Sequence, residues 1–264
     1  MRNLFKRSFS GVIYVTLFVG AILFSKESYI VLVSIFGLLA IWELSKMIQF
    51  KNIIAYLLFG ITLFLILKRT NTYATLLVLG INIISSIFLI YQLFTKKTIT
   101  FSTEREKLSL ILRYIVFSFC FLILLPFQNE EYHPYIMICF LILIWVNDSF
   151  AFLMGKNFGK TKLFEAVSPK KTQEGFLGGL IFALITAYII STLNSTFSLI
   201  EWLIIAIIIS VIGTIGDLVE SKFKRQAKVK DSGNIMPGHG GILDRLDSLL
   251  FAAPFVYLYI NYII

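Results

Sequence analysis

Charge is scarce in this chain: Asp, Glu, Lys and Arg make up only 15% of its 264 residues. Globular domains carry about a quarter, and disordered chains are more polar still, so both are excluded. Cysteine is scarce as well. Cys120 and Cys139 both sit in apolar runs, which leaves neither a disulfide framework nor a thiolate zinc site. Acidic residues number 15 against 24 basic ones, a formal +9. No collagen-like or heptad repeat is visible, and no Pro- or Ser-rich linker marks off a second, soluble domain. What is abundant is apolar: 58% of residues are hydrophobic and the mean hydropathy is +0.85. The composition is that of a polytopic membrane protein.

A membrane-crossing helix needs about 20 mainly apolar residues. Nine such stretches are expected, at 9–25, 29–45, 52–68, 73–94, 108–127, 134–154, 175–193, 197–216 and 248–264. The third is short and soft-edged. These runs are apolar all round, without the alternation of a barrel strand, so the fold class is all-α. The first run could pass for a signal peptide, but it has no small-residue cleavage site and reads as a retained helix. With the N-terminus cytoplasmic, 20 of the 24 Lys and Arg fall on the inner side, as the positive-inside rule requires. That rule accounts for the net charge. The 26 Phe and 12 Tyr suit lipid-facing helices and form no stacking platform, so no nucleic-acid partner is expected.

One membrane domain is expected over 1–264, with N-terminal spans at 1–133 and the chemistry at 134–264. Two loops carry it, 155–175 and 217–247, which flank one hairpin of spans and therefore share a side. They hold 11 of the 24 basic and seven of the 15 acidic residues. Asp217, Ser221, Lys224 and Lys228 fall on one stripe of a helix continuing the eighth span, with Arg225 beside it. Gly233, Pro237, Gly238, Gly240 and Gly241 then force turns, and a new helix near Ile242 presents Asp244, Asp247 and Ser248. Carboxylates at both ends of this excursion can converge on a divalent cation, and oxygen-only ligands suit Mg²⁺ or Mn²⁺.

Basic residues beside a membrane commonly do no more than anchor it to anionic lipid. That explains the lysines. It does not explain Asp217, Asp244 and Asp247 at the ends of apolar helices, where an unpaired carboxylate is costly. In the other loop, Ser168-Pro169-Lys170-Lys171-Thr172 opens the seventh span, with Glu174-Gly175 and Gly178-Gly179 following. Backbone donors, two lysines and two hydroxyls there make a phosphate cradle. Asp148 lies roughly 10 Å inside its span at 1.5 Å per residue, a functional position unless it pairs with Asn147 or Ser149. His239 is equally a phosphate ligand, a general acid or the closure of a turn. Glu43 and Arg113 are isolated charges near span ends and read as structural.

Ser221-Lys222-Phe223-Lys224-Arg225, Lys230-Asp231 and Pro237-Gly238-His239-Gly240-Gly241-Ile242-Leu243-Asp244-Arg245-Leu246-Asp247-Ser248 closely resemble the signature of the phosphatidate cytidylyltransferases (CDP-diacylglycerol synthases). The 168–175 segment and the stretch from Asp148-Ser149 to Gly155 and Phe158-Gly159 resemble two further parts of that family. Phe150 departs from it, where a small residue is expected. The resemblance covers 147–248. It implies the reaction CTP + phosphatidate → CDP-diacylglycerol + pyrophosphate with Mg²⁺, and a second metal or a monovalent cation is open. Asp217 and Asp244 are then expected to bind the metal, with Asp247 a further carboxylate. Lys224, Arg225, Lys230 and Arg245 would clamp phosphates, with Asp231 and His239 in the same catalytic set. Ser168, Lys170, Lys171, Thr172 and Ser221 would hold the CTP tail or the phosphatidate headgroup, and Asp148 would face the same cavity. A homodimer and a site facing the cytoplasm from a bacterial inner membrane are also implied.

Two other readings compete. A CTP-dependent polyprenol or phytol kinase would move the γ-phosphate to an alcohol, needing a base and releasing CDP. A transporter would place its charges near mid-bilayer, on broken helices in paired halves, and neither pattern is present.

Overall fold

The computed structural model describes residues 2–68, 72–95, 98–99, 102–236, 238 and 240–264, with the backbone alone at 2–8 and 72. Among these residues run nine helical rods. They are α1 (Arg2–Phe24), α2 (Lys26–Met47), α3 (Ile54–Leu67), α4 (Thr72–Phe94), α5 (Glu104–Leu124), α6 (Pro134–Phe158), α7 (Gln173–Leu193), α8 (Leu199–Gln226) and α9 (Leu243–Tyr262). Two antiparallel hairpins join them, β1 (Phe127–Gln128) with β2 (Glu131–Tyr132) and β3 (Lys162–Phe164) with β4 (Ser168–Thr172). The all-α, polytopic expectation holds. Six rods, α2 and α4 to α8, are long and apolar enough to cross a membrane. The third expected span is a helix of 14 residues, about 21 Å long against a hydrocarbon core of roughly 30 Å. In α9 the first turns carry Asp244, Arg245 and Asp247, so its apolar stretch is shorter than its 20 residues.

Local chemistry sets the helix starts. Reciprocal capping boxes open α2 (Ser25 with Ser28), α5 (Thr103 with Glu106) and α8 (Ser198 with Glu201). The core is built round α5, in which every residue from Ser118 to Leu124 is buried. Tyr29 on α2 donates to the Leu122 carbonyl at 2.6 Å, and Tyr114 packs its ring against Phe223 of α8 and Phe251 of α9. A π-helical turn at Leu112–Val116 widens α5, and Asn82 donates to the Arg113 carbonyl there at 3.0 Å. Arg113 Nε in turn donates to Ser109 O at 3.1 Å, so this cation is engaged within its own helix. On the outside, Leu177, Ile181 and Ile185 of α7 form an exposed apolar row, spaced four apart as a lipid-facing stripe requires.

The 28 residues of α8, about 42 Å, give it two turns beyond its apolar stretch. A Schellman closure ends it: Lys228 adopts a left-handed φ of 57°, and Val229 N donates to Lys224 O at 2.9 Å. Lys228 therefore lies past the helix and off the stripe that the spacing assigned to it.

Candidate active site

The site forms where α6 and α8 end and α7 and α9 begin. On α8, Asp217, Ser221 and Lys224 share a face as the spacing predicts. Ser221 Oγ donates to Asp217 Oδ1 at 3.2 Å. Lys224 is buried and bonds Asp244 Oδ1 of α9 at 2.7 Å. Its second partner, Glu220, is completely buried and pairs with Lys224 one turn away. Apart from this ion pair, neither Glu220 oxygen has a hydrogen-bond partner among the described residues, so the carboxylate depends on Lys224. Sequence reasoning missed it. The signal was present, because Glu220 is three residues from Asp217 and four from Lys224, on the same stripe.

Asp244 is the most heavily bonded carboxylate in the site. Besides Lys224 on Oδ1, its Oδ2 accepts from Ser232 N at 2.8 Å, Ser232 Oγ at 2.9 Å and Gly241 N at 2.8 Å. The loop between α8 and α9 is thus wound round one side chain. Gly240 takes a φ of +91°, and a Cβ there would lie 2.6 Å from Asp244 Oδ2, so both backbone and space demand glycine. Lys230, Asp231 and Arg225 are exposed on the rim of this loop, and Arg225 Nη1 donates to Val229 O at 3.3 Å. His239 lies outside the described residues. One turn further along α9, Asp247 Oδ1 accepts from Ser248 N at 2.6 Å, and its charge interacts with those of Asp217, Lys224 and Asp148. Arg245 is exposed at the start of α9.

The second loop arrives as a hairpin rather than as the helix opening that its sequence suggests. Ser168, Lys170 and Lys171 lie on β4, and Thr172 ends the strand and caps α7, its Oγ1 accepting from Gly175 N at 3.1 Å. Thr172 is buried against two glycines of the α6 end: a Cβ at Gly155 or Gly159 would lie 3.0 or 2.7 Å from its Oγ1. Its hydroxyl therefore acts in packing and capping. Thr161 N donates to Glu174 Oε1 at 3.1 Å and Lys162 to Pro169 O at 2.7 Å, fastening the hairpin to α7 and to itself. Ser168 is half-buried and Lys170 exposed. Lys171 turns inward, and its Nζ lies 2.5 Å from Asp217 Oδ2.

Small residues bring Asp148 to the same place. A Cβ at Gly175 or Gly179 would lie 2.7 Å from the carbonyl of Ala151 or Asn147, so α6 and α7 meet backbone to backbone. Asn147 Nδ2 donates to Asp148 Oδ1 at 3.3 Å, and Asp148 also interacts with the charges of Lys171, Asp217 and Arg245. Phe150, the departure from the family pattern, stacks face to face on Phe182 of α7 at 3.6 Å, away from this cluster.

One residue of the N-terminal half, read from the sequence only as an isolated structural charge, also reaches the site. Glu43 on α2 is completely buried and accepts from Ile242 N at 3.0 Å, Leu243 N at 2.8 Å and Ser232 Oγ at 3.1 Å. It holds a structural position, as expected of it, but at the loop that carries Asp244.

Membrane-length helices with carboxylates and lysines interleaved at one end define an integral membrane protein with a polar site at its helix ends. The chain belongs to the cytidylyltransferase family, whose model matches residues 5–263. It is 35% identical over 265 residues to the phosphatidate cytidylyltransferase of Bacillus subtilis (strain 168), covering 97% of each chain. Proteins of the same name from Staphylococcus saprophyticus and Staphylococcus haemolyticus are 48% and 51% identical over 136 and 122 residues, about half of each chain.

Proposed function

We propose that this protein transfers the cytidylyl group of CTP to phosphatidate, forming CDP-diacylglycerol and pyrophosphate for phospholipid biosynthesis. The observation that carries the reading is the interleaving of charge in the site, with Lys171 on Asp217 and Lys224 on Asp244. Family membership narrows it to a cytidylyl donor, and the name shared by the relatives supplies the acceptor.

A phosphate oxygen of phosphatidate attacks the α-phosphorus of CTP. The bond from that phosphorus to the oxygen bridging to the β-phosphate breaks, and pyrophosphate leaves. The nucleophile is already anionic near neutral pH, so no strong base is needed. The demand is to hold two anions in line and to stabilise the leaving charge, which positioned cations do. Lys224, Arg225, Lys230 and Arg245 would clamp phosphates, and Ser168, Lys170 and Lys171 would hold the CTP tail or the lipid headgroup. Asp231 and His239, which the sequence puts in the same loop, would complete the catalytic set, and Thr172 and Ser221 would join the substrate-holding residues.

The donor set fits Mg²⁺, being all oxygen. Among the described residues no three Asp, Glu, His or Cys side chains stand together as a metal cage. Mg²⁺ does not need one, because it is commonly held by one or two carboxylates with water and substrate phosphates. Asp217 and Asp244 would hold it, with Asp247 and Asp148 facing it. Each of the first two now carries a lysine, and substrate phosphates would draw those lysines off and release the carboxylates. The bound cation supplies charge neutralisation at the phosphates. The basic residues of both loops favour a cytoplasmic position for this end, at a bacterial inner membrane where lipid phosphate and CTP would meet.

The test is pyrophosphate release by the purified protein in detergent with CTP and Mg²⁺. Release that depends on phosphatidate is expected. Release of CDP instead would establish the kinase reading, and no product would refute both.

A further inference from the structure

We infer that Glu43, on a helix of the N-terminal half, is a positioning residue for the reaction: it locks the loop between α8 and α9 in the shape that presents Asp244 to Lys224. The inference rests on the proposed cytidylyl transfer for its kinetic readout, but not for its structural one.

Four observations carry it. First, Glu43 is a fully buried carboxylate on α2, a helix of mainly apolar residues, at a cost that only good partners can offset. Secondly, those partners are the start of α9. Ile242, the residue before the helix, makes no side-chain cap of its own. Glu43 caps in its place, Oε1 accepting from Ile242 N and Oε2 from Leu243 N. A negative carboxylate at a helix N-terminus satisfies orphan donors and favours the helix dipole. The cap comes from about 200 residues away in sequence, as the separations of 199 and 200 record.

Thirdly, the carboxylate reaches the catalytic loop itself. Ser232 Oγ lies 3.1 Å from Glu43 Oε2 and 2.9 Å from Asp244 Oδ2. One hydroxyl hydrogen thus stands between two carboxylates, and Asp244 passes the contact on to Lys224 at 2.7 Å. Moving Glu43 would shift Ser232, then Asp244, then the lysine. Fourthly, the loop is shaped to let Glu43 in. A Cβ at Gly233 or at Gly241 would collide with the Glu43 carboxyl group. The Gly240-Gly241 pair is thereby explained residue by residue: the first has positive φ, and the second makes room for a side chain from α2.

The experiment compares Glu43→Gln, Ser232→Ala and the double variant, in purified protein assayed with CTP and phosphatidate. Glutamine keeps the shape but offers one acceptor oxygen where the site needs two. Glu43→Gln is expected to lower kcat about a hundredfold, the scale of an ångström-sized misplacement, and Ser232→Ala by about tenfold. The double variant should fall no further than Glu43→Gln, because the serine is a link in the chain of contacts that the glutamate anchors. Additive losses would overturn the chain of contacts and leave two separate structural effects. Hydrogen exchange provides the readout that needs no substrate. In Glu43→Gln the amides of Ser232, Gly241, Ile242 and Leu243 should lose protection while α6 and α7 keep theirs. Unchanged exchange together with wild-type kcat would overturn the inference. If Glu43→Gln does not fold, Ser232→Ala decides, and kcat within twofold of the parent refutes the lock. A parent protein inactive on these substrates with the exchange result as expected would refute the proposed reaction and leave the lock standing.

Discussion

Lys171 Nζ, at the end of a hairpin strand, lies 2.5 Å from Asp217 Oδ2 on α8. This contact joins the two polar loops that flank the α7–α8 hairpin. The bond has two chemical uses, since it neutralises a carboxylate near the membrane and keeps a lysine where a phosphate would take it.

Asp217→Asn should abolish turnover, on the order of a thousandfold or more, while the purified protein stays folded. Lys171→Ala should leave a smaller residual defect, concentrated in the KM of one substrate. Initial rates across both substrate concentrations check this. Unchanged kinetics in Lys171→Ala would make the ion pair a purely structural contact.

Glu220 should matter although it lies too deep to touch bulk solvent. Removing one partner of a buried ion pair typically costs about 3–5 kcal/mol. Lys224 keeps Asp244 as a second partner, so Glu220→Gln should fall at the low end of that range, with a clear loss of activity. Thermal unfolding in detergent and the assay together test it.

Thr172 separates packing from substrate contact. Thr172→Val removes the cap of α7 and should cost about 1 kcal/mol of stability. Thr172→Ser keeps the hydroxyl and should retain the cap. If instead the hydroxyl binds substrate, Thr172→Val would raise a KM without changing thermal stability.

Gly241→Ala should disable the loop despite adding one methyl group, because its Cβ meets Glu43 and Ser232. Activity should drop by at least tenfold. Combining it with Glu43→Ala, which empties the colliding space, should not restore activity, since the cap of α9 is lost as well.

If Asp217 and Asp244 hold Mg²⁺ as proposed, turnover should depend on that ion. A chelator should stop turnover, and added Mg²⁺ should restore it in full. Undiminished turnover in excess chelator would contradict the assignment of Asp217 and Asp244 to a metal.

The membrane rods and the 217–248 stripe were legible because their signals are local. Apolar runs mark helices, and spacings of three and four put Asp217, Ser221 and Lys224 on one face. The role of Glu43 was not legible, since its partners are about 200 residues distant and one acid near a span end has no periodicity. The sequence could not show the capping and packing role of Thr172, because a helix start and a phosphate cradle use the same residues, and only the structure shows its contacts with Gly155 and Gly159. The β3–β4 hairpin was missed for a related reason. Its strands are short, polar and exposed, so they lack the alternation that a buried face imposes.

The central claim is that this charged cluster carries cytidylyl transfer to a lipid phosphate. The most direct measurement uses CTP labelled differently at its α- and γ-phosphates, with phosphatidate and Mg²⁺, followed by solvent extraction. The account predicts the α-label in the lipid phase and the γ-label in aqueous pyrophosphate, with both transfers lost in Asp217→Asn. The γ-label in the lipid phase, or full transfer by Asp217→Asn, would contradict it.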